Sequence, residues 1–193
     1  MARSSRETGH MRERERNIVL TGLRGTGKSA AGRRLADRLG YTFVDLDTLM
    51  EAEAGRPLPQ LIAERGEAGA GELEIRMVER VALQKRCVIA TRGGTIVNPR
   101  NLRALKQSGV VVALTADPQT ILSRIGSGTD YPEVCGGPRR LQIEQFLAEW
   151  RDAYAQADAT VETSARTIDE VVDCILHAVK CGPFRAPRGT TRP

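Results

Sequence analysis

Aromatic residues are scarce in this chain: three Phe, three Tyr and one Trp among 193 residues. So few rings provide no stacking platform for single-stranded nucleic acid. The four cysteines, Cys87, Cys135, Cys174 and Cys181, form no C-x-x-C pair. That spacing does not resemble a zinc site, and no secretory segment accompanies it to suggest a disulfide framework. Cys87 opens an apolar stretch and reads as a small core residue. No apolar run is long enough to span a membrane, and the polar N-terminus lacks the apolar segment of a signal peptide. The expected location is therefore the cytoplasm.

What remains is the composition of a globular protein, 27% charged and 40% hydrophobic, in a chain sized for one domain with a proper core. The net charge of +5 gathers largely at the ends. Arginines mixed with glutamates run from Arg3 to Arg16, and a short basic tail runs from Arg185 to Arg192. Mixed charge without rings marks solvated chain. We expect a disordered leader over residues 1–16, one folded domain over 17–181 and a flexible tail over 182–193. No membrane or specific nucleic-acid partner is expected, and the chain is expected to be a monomer.

Strands and helices alternate along the domain. Apolar runs at Asn17 to Thr21, Tyr41 to Asp45, Cys87 to Thr91, Val110 to Thr115 and Thr160 to Glu162 read as strands. Between them lie helical segments: Ala30 to Leu39, Leu46 to Ala54, and Leu58 to Arg86 with a break near Gly66. A helix follows Asn98-Pro99, another runs from Asp117-Pro118 to Ile125, and the last two span Arg139 to Ala155 and Thr167 to Val179. Gly126 to Pro138, rich in Gly, Pro and Ser/Thr, reads as a mobile flap. This alternation predicts a parallel sheet with helices on both faces, with ligands at the carboxyl ends of its strands.

The strongest signal follows the first strand. Gly22-Leu23-Arg24-Gly25-Thr26-Gly27-Lys28-Ser29 fills every position of G-x-x-x-x-G-K-[ST] between a strand and a helix. In that setting the glycines let backbone N–H groups of the loop, through Thr26, Gly27 and Ala30, face phosphate oxygens. The helix N-terminus adds partial positive charge. Lys28 reaches the β- and γ-phosphates, and the Ser29 hydroxyl is a magnesium ligand. ATP and Mg2+ are the implied cofactors. Asp45 and Asp47, two residues apart at the end of the second strand, suit a kinase: Asp45 at the metal, Asp47 orienting or deprotonating an acceptor hydroxyl. Asp47 also suits a plain helix cap. A third cluster, Arg92-Gly93-Gly94, follows the third strand, so all three should meet at one edge of the sheet.

With these residues in place the chain resembles the shikimate kinase family over about residues 17–180. The family's F-x-D-x-D segment matches Phe43 to Asp47, its G-R-x-[IL] turn Gly55 to Leu58, and its G-E segment Gly66-Glu67. Its glycine triplet falls on Arg92-Gly93-Gly94, and its R-x-x-x-Y element on Arg151-Asp152-Ala153-Tyr154. Arg124 and Arg166 match arginines of the adenine side. The resemblance implies a three-layer α/β P-loop kinase fold with a five-stranded parallel sheet flanked by helices, plus a lid. It implies γ-phosphoryl transfer from ATP to a hydroxyl of shikimate, with Arg92, Gly93, Gly94, Arg151 and Asp47 at the acceptor.

The departures cluster at the acceptor. Where the family has an arginine in G-E-x-x-F-R, this chain has Gly71, and Tyr131 replaces the arginine of the lid. Arg92 replaces the first glycine of the triplet. Each lost guanidinium removes bidentate, charge-assisted bonds to a carboxylate, about a hundredfold or more in affinity. Arg92 either compensates or fills the pocket, and Arg76 is a further candidate. Three readings follow: a shikimate kinase with a rearranged acceptor site, a kinase of another small hydroxylated metabolite, or a catalytically weak ATP-binding module.

Overall fold

The computed structural model describes residues 16–125 and 139–181. Residues 1–15 of the expected leader, the flap from Gly126 to Pro138 with Tyr131, and the tail lie outside the described residues. Five parallel strands form one sheet: β1 (Asn17–Thr21), β2 (Thr42–Asp45), β3 (Cys87–Ala90), β4 (Gly109–Thr115) and β5 (Ala159–Glu162). Their spatial order is β2-β3-β1-β4-β5. β1 lies at the centre, its Ile18 opposite Val88 on one side and Val110 on the other.

The period of two in a strand sends alternate side chains to opposite faces, and each face has its own core. Ile18, Leu20, Val88, Val112 and Leu114 meet helices α1 (Lys28–Leu39) and α8 (Ile168–Cys181) through Leu35, Val172 and Ile175. Val19, Ile89, Val111 and Ala113 meet α2 (Leu46–Ala54), α3 (Leu58–Ala82) and α4 (Pro99–Ser108) through Met50, Val78 and Leu105. Burying one such side chain contributes roughly 1.5–3 kcal/mol. A third cluster of Leu23, Ala116, Ile121 and Ile143 joins the phosphate loop to α5 (Pro118–Ile125) and α6 (Arg139–Glu149). Arg34–Asp169 and Arg38–Asp173 pair α1 with α8 on the exposed surface, where such pairs add little. Among the described residues no helix is long and apolar enough to cross a membrane.

The element pattern follows the sequence closely, with three departures. β4 starts at Gly109, because a Cβ there would stand 2.0 Å from the Asn17 carbonyl oxygen and only a bare backbone lets the strands meet. The expected single helix from Arg139 to Ala155 is interrupted at Trp150 (φ −93°, ψ 2°), after which α7 (Arg151–Tyr154) resumes. Neither proline nor glycine stands there; the interruption lies where the indole packs against the loop after β3. A short 3-10 turn, Thr95–Val97, also precedes α4. The break in α3 falls at Gly66, whose φ of 69° and ψ of 174° a side chain would strain.

Candidate active site

The loops after β1, β2 and β3 open into one cavity of about 970 Å³. Gly25, Gly27, Lys28, Ser29, Ala30, Asp45, Asp47, Arg92, Gly93, Arg124 and Arg166 all line it. The phosphate loop is shaped by backbone that only glycine adopts freely. Gly22 has φ 140°, and a Cβ on it would lie 2.2 Å from the Leu114 carbonyl oxygen. Gly27, with φ 90°, begins α1, and no side chain caps that helix, so its N-terminal N–H groups are available to an anion.

Thr26 is buried beneath the loop; its hydroxyl donates to the Leu23 carbonyl at 2.8 Å. Lys28 folds over the loop, its Nζ donating to the carbonyls of Gly22 (2.8 Å) and Leu23 (3.1 Å). The Ser29 hydroxyl donates to Asp45 Oδ2 at 2.8 Å. Asp45 Oδ1 accepts the Asp47 backbone N–H at 3.2 Å and caps α2. The cap of this helix is therefore Asp45, and Asp47 stands in its first turn.

Arg124 is anchored on β5's end: Nη2 donates to the Thr163 carbonyl at 2.7 Å, and Nη1 to the Thr163 hydroxyl at 3.0 Å. Arg166 donates to the Glu162 carbonyl at 2.6 Å. Thr167 and Ile168 line the cavity beside them. Ile168 is an exposed apolar side chain, and it makes this end suit a flat base. Asp117, which caps α5 below Arg124, has its carboxyl drawn down to about 2, through hydrogen bonding to Ser164 first and then to Thr120.

At the opposite end, Arg92 Nε lies 3.5 Å from Asp47 Oδ1. Pro57, Leu58, Pro59 and Ile62 form an apolar wall, and the Glu51 carboxylate accepts the Leu58 N–H at 2.9 Å. Gly93 is held from behind. The Tyr154 hydroxyl donates to its carbonyl at 3.0 Å, and a Cβ on it would meet the Trp150 ring at 2.7 Å. Trp150 is itself braced by Phe146, at 4.9 Å between centroids, and by Tyr154 at 6.2 Å.

Several residues singled out from sequence stand apart from the cavity lining, Gly22 and Thr26 of the phosphate loop among them. Gly94 packs against Trp150, while Arg151 and Arg76 are exposed on their helices. The reason for Arg151 is arithmetic. A five-residue R-x-x-x-Y pattern ending on Tyr154 begins at Trp150, so Arg151 is one residue late, and one residue turns a helix by roughly 100°. Trp150 occupies the arginine's position. Pro59, Ile62, Ile168 and Trp150 carry no motif of their own, and only the packing of distant segments reveals them. Gly71 lies in α3, where an added Cβ would meet nothing within 4 Å.

A strand-loop-helix phosphate cradle beside a hydroxyl–carboxylate pair at the end of a parallel sheet defines a P-loop phosphotransferase. The family model for shikimate kinase matches residues 24–180. A shikimate kinase of Pelotomaculum thermopropionicum is 39% identical over 165 residues, covering 86% of this chain and 96% of that one. One of Symbiobacterium thermophilum is 40% identical over 167 residues, covering 85% and 96%. The structure of a shikimate kinase from Acinetobacter baumannii in complex with shikimate superimposes with a TM-score of 0.84 at 29% identity, covering 89% of this chain and 97% of that one. The chain belongs to the shikimate kinase family.

Proposed function

We propose that this chain transfers the γ-phosphoryl group of ATP to a hydroxyl of shikimate. The observation that carries the proposal is the meeting of Lys28, Ser29, Asp45, Asp47 and Arg92 in one cavity, in a chain of this family. Ser29 and Asp45 bring a hydroxyl and a carboxylate oxygen together at 2.8 Å. These are hard oxygen donors that fit Mg2+, which takes one or two protein ligands and otherwise water and phosphate. Bound there, the ion neutralises charge on the phosphates.

The chain's own residues do the rest. Lys28 exchanges its two carbonyl partners for phosphate oxygens and balances charge developing on the γ-phosphoryl group. Asp47 accepts a hydrogen bond from the acceptor hydroxyl, aligning its oxygen for in-line attack, and takes its proton as the new P–O bond forms. The bond from γ-phosphorus to the bridging oxygen breaks, and ADP leaves. ATP as donor supports a cytoplasmic location.

Coupled ADP release with ATP and Mg2+, with and without millimolar shikimate, tests the proposal. Shikimate-dependent release is expected. Lys28→Ala should lower kcat by at least ~10²-fold. Asp47→Asn should lower it by about 10²–10⁴-fold while ATP affinity, read by calorimetry, stays unchanged. ATP binding with no response to shikimate would instead favour another acceptor or a binding module.

A further inference from the structure

We infer that Thr163, which stands behind the cavity lining, is a positioning residue for the phosphate loop. One buried hydroxyl holds both the Thr26–Gly27 peptide and Arg124. The inference rests on ATP as the donor and not on shikimate as the acceptor.

Thr163 is the first residue after β5 and is 1% exposed. Its backbone is fixed on both sides. The N–H donates to the Thr115 carbonyl at 2.9 Å, and the carbonyl accepts Arg124 Nη2 at 2.7 Å. The hydroxyl accepts Arg124 Nη1 at 3.0 Å, and it lies 3.1 Å from each of two carbonyl acceptors, Thr26 and Thr115. A hydroxyl has one proton, so these two carbonyls share it. Arg124 Nη1 also reaches the Gly25 carbonyl at 3.3 Å. Two successive carbonyls of the phosphate loop are thus held from the β5 side.

Peptide geometry turns this anchor into a statement about phosphate. The Thr26 carbonyl and the Gly27 N–H belong to one planar trans peptide and point in opposite directions. Anchoring the carbonyl on Thr163 therefore points the N–H the other way, and Gly27 lines the cavity. The Thr26 hydroxyl does not anchor this peptide, because it donates to Leu23 instead. A peptide that ends on glycine resists rotation weakly, so its direction depends on a partner outside the loop. The same oxygen steadies Arg124, and one atom sets the loop and the arginine relative to each other.

The experiment measures affinity by calorimetry with Mg2+, for ATP and for inorganic tripolyphosphate, which has the phosphates without the base. Thr163→Val keeps the shape and replaces the hydroxyl by a methyl group, whereas Thr163→Ser keeps the hydroxyl. Thr163→Val should weaken both ligands by about tenfold. Thr163→Ser should stay within about threefold of the unaltered chain. With Arg124→Gln already in place, Thr163→Val should weaken ATP by a smaller factor, because one of the two groups it holds is gone. Should Thr163→Val fail to fold, Thr163→Ala removes the hydroxyl without pressing a methyl group on the carbonyls, and the same comparison applies.

A Thr163→Val protein with weakened ATP but unchanged tripolyphosphate affinity would show that the hydroxyl serves Arg124 alone, and would overturn the inference. A Thr163→Ser protein as weak as Thr163→Val would assign the effect to packing and overturn it equally. So would an unaltered chain that binds ATP but not tripolyphosphate, since its loop would not hold phosphates by itself. Binding of ATP without any response to shikimate defeats the proposed acceptor, while the binding comparison still decides the role of Thr163.

Discussion

At the scale of single residues, the end of the cavity beside Gly93 depends on close contacts that admit no extra atom. Gly93 lines the cavity on one side and faces the Trp150 ring on the other, where a Cβ would approach to 2.7 Å. Trp150 cannot retreat easily, because Phe146 and Tyr154 brace its ring. Gly93→Ala should therefore displace the loop carrying Arg92, and overpacking of this kind costs about 1–3 kcal/mol. We expect KM for the acceptor to rise by roughly tenfold or more, with ATP affinity unchanged. Adding Trp150→Phe, a smaller ring, should recover part of the loss. A Gly93→Ala enzyme with unaltered KM would show that the loop is not held by that ring. The contrast with Gly22 is instructive. There the obstacle is the Leu114 carbonyl, backbone that no second substitution can trim.

At the scale of elements, helix ends carry much of the site. α1 presents an uncapped N-terminus to the phosphate position, α2 is capped by Asp45, and α5 is capped by Asp117. The carboxyl of Asp117 lies at about 2 against an ordinary value of 3.8. A carboxyl lowered in the folded state favours folding where it is ionised in both states, above about pH 4. That contribution fades as pH falls from 3.8 toward 2, because the unfolded chain takes up the proton first. Asp117→Asn should remove this part of the acid dependence. In urea denaturation, the gap in midpoint between the two proteins at pH 6 should shrink by pH 2.5. An unchanging gap would mean that the cap acts without its charge. Because α5 also carries Arg124, the same substitution tests whether the nucleotide end shares the stability of its helix.

At the scale of the whole molecule, the sheet is the rigid part, with a separate core on each face, and the cavity lies at its edge. Leu35 is fully buried between α1 and the sheet. Leu35→Ala should cost about 2–5 kcal/mol, lowering Tm by roughly 5–15 °C. Saturating ATP should recover part of that loss by binding only the folded chain. A shift of a degree or less would place Leu35 outside the cooperative core. The alternation of elements was legible from local pattern: period-two and continuous apolar runs, glycine stops and the Asn98 and Asp117 caps all lie within a few residues of what they control. The phosphate loop was legible for the same reason, since its chemistry is carried by eight consecutive residues. The acceptor end was not. Arg151 matched a motif by name yet faces solvent, while Trp150, Ile168, Pro59 and Ile62 acquire their places only through neighbours far along the chain. Sequence alone determined the parallel sheet, the nucleotide cradle and the acidic pair, because hydrogen bonding and side-chain period are local. Tertiary structure decided which side chains share the cavity, because the direction of a long side chain depends on the packing of elements distant in sequence.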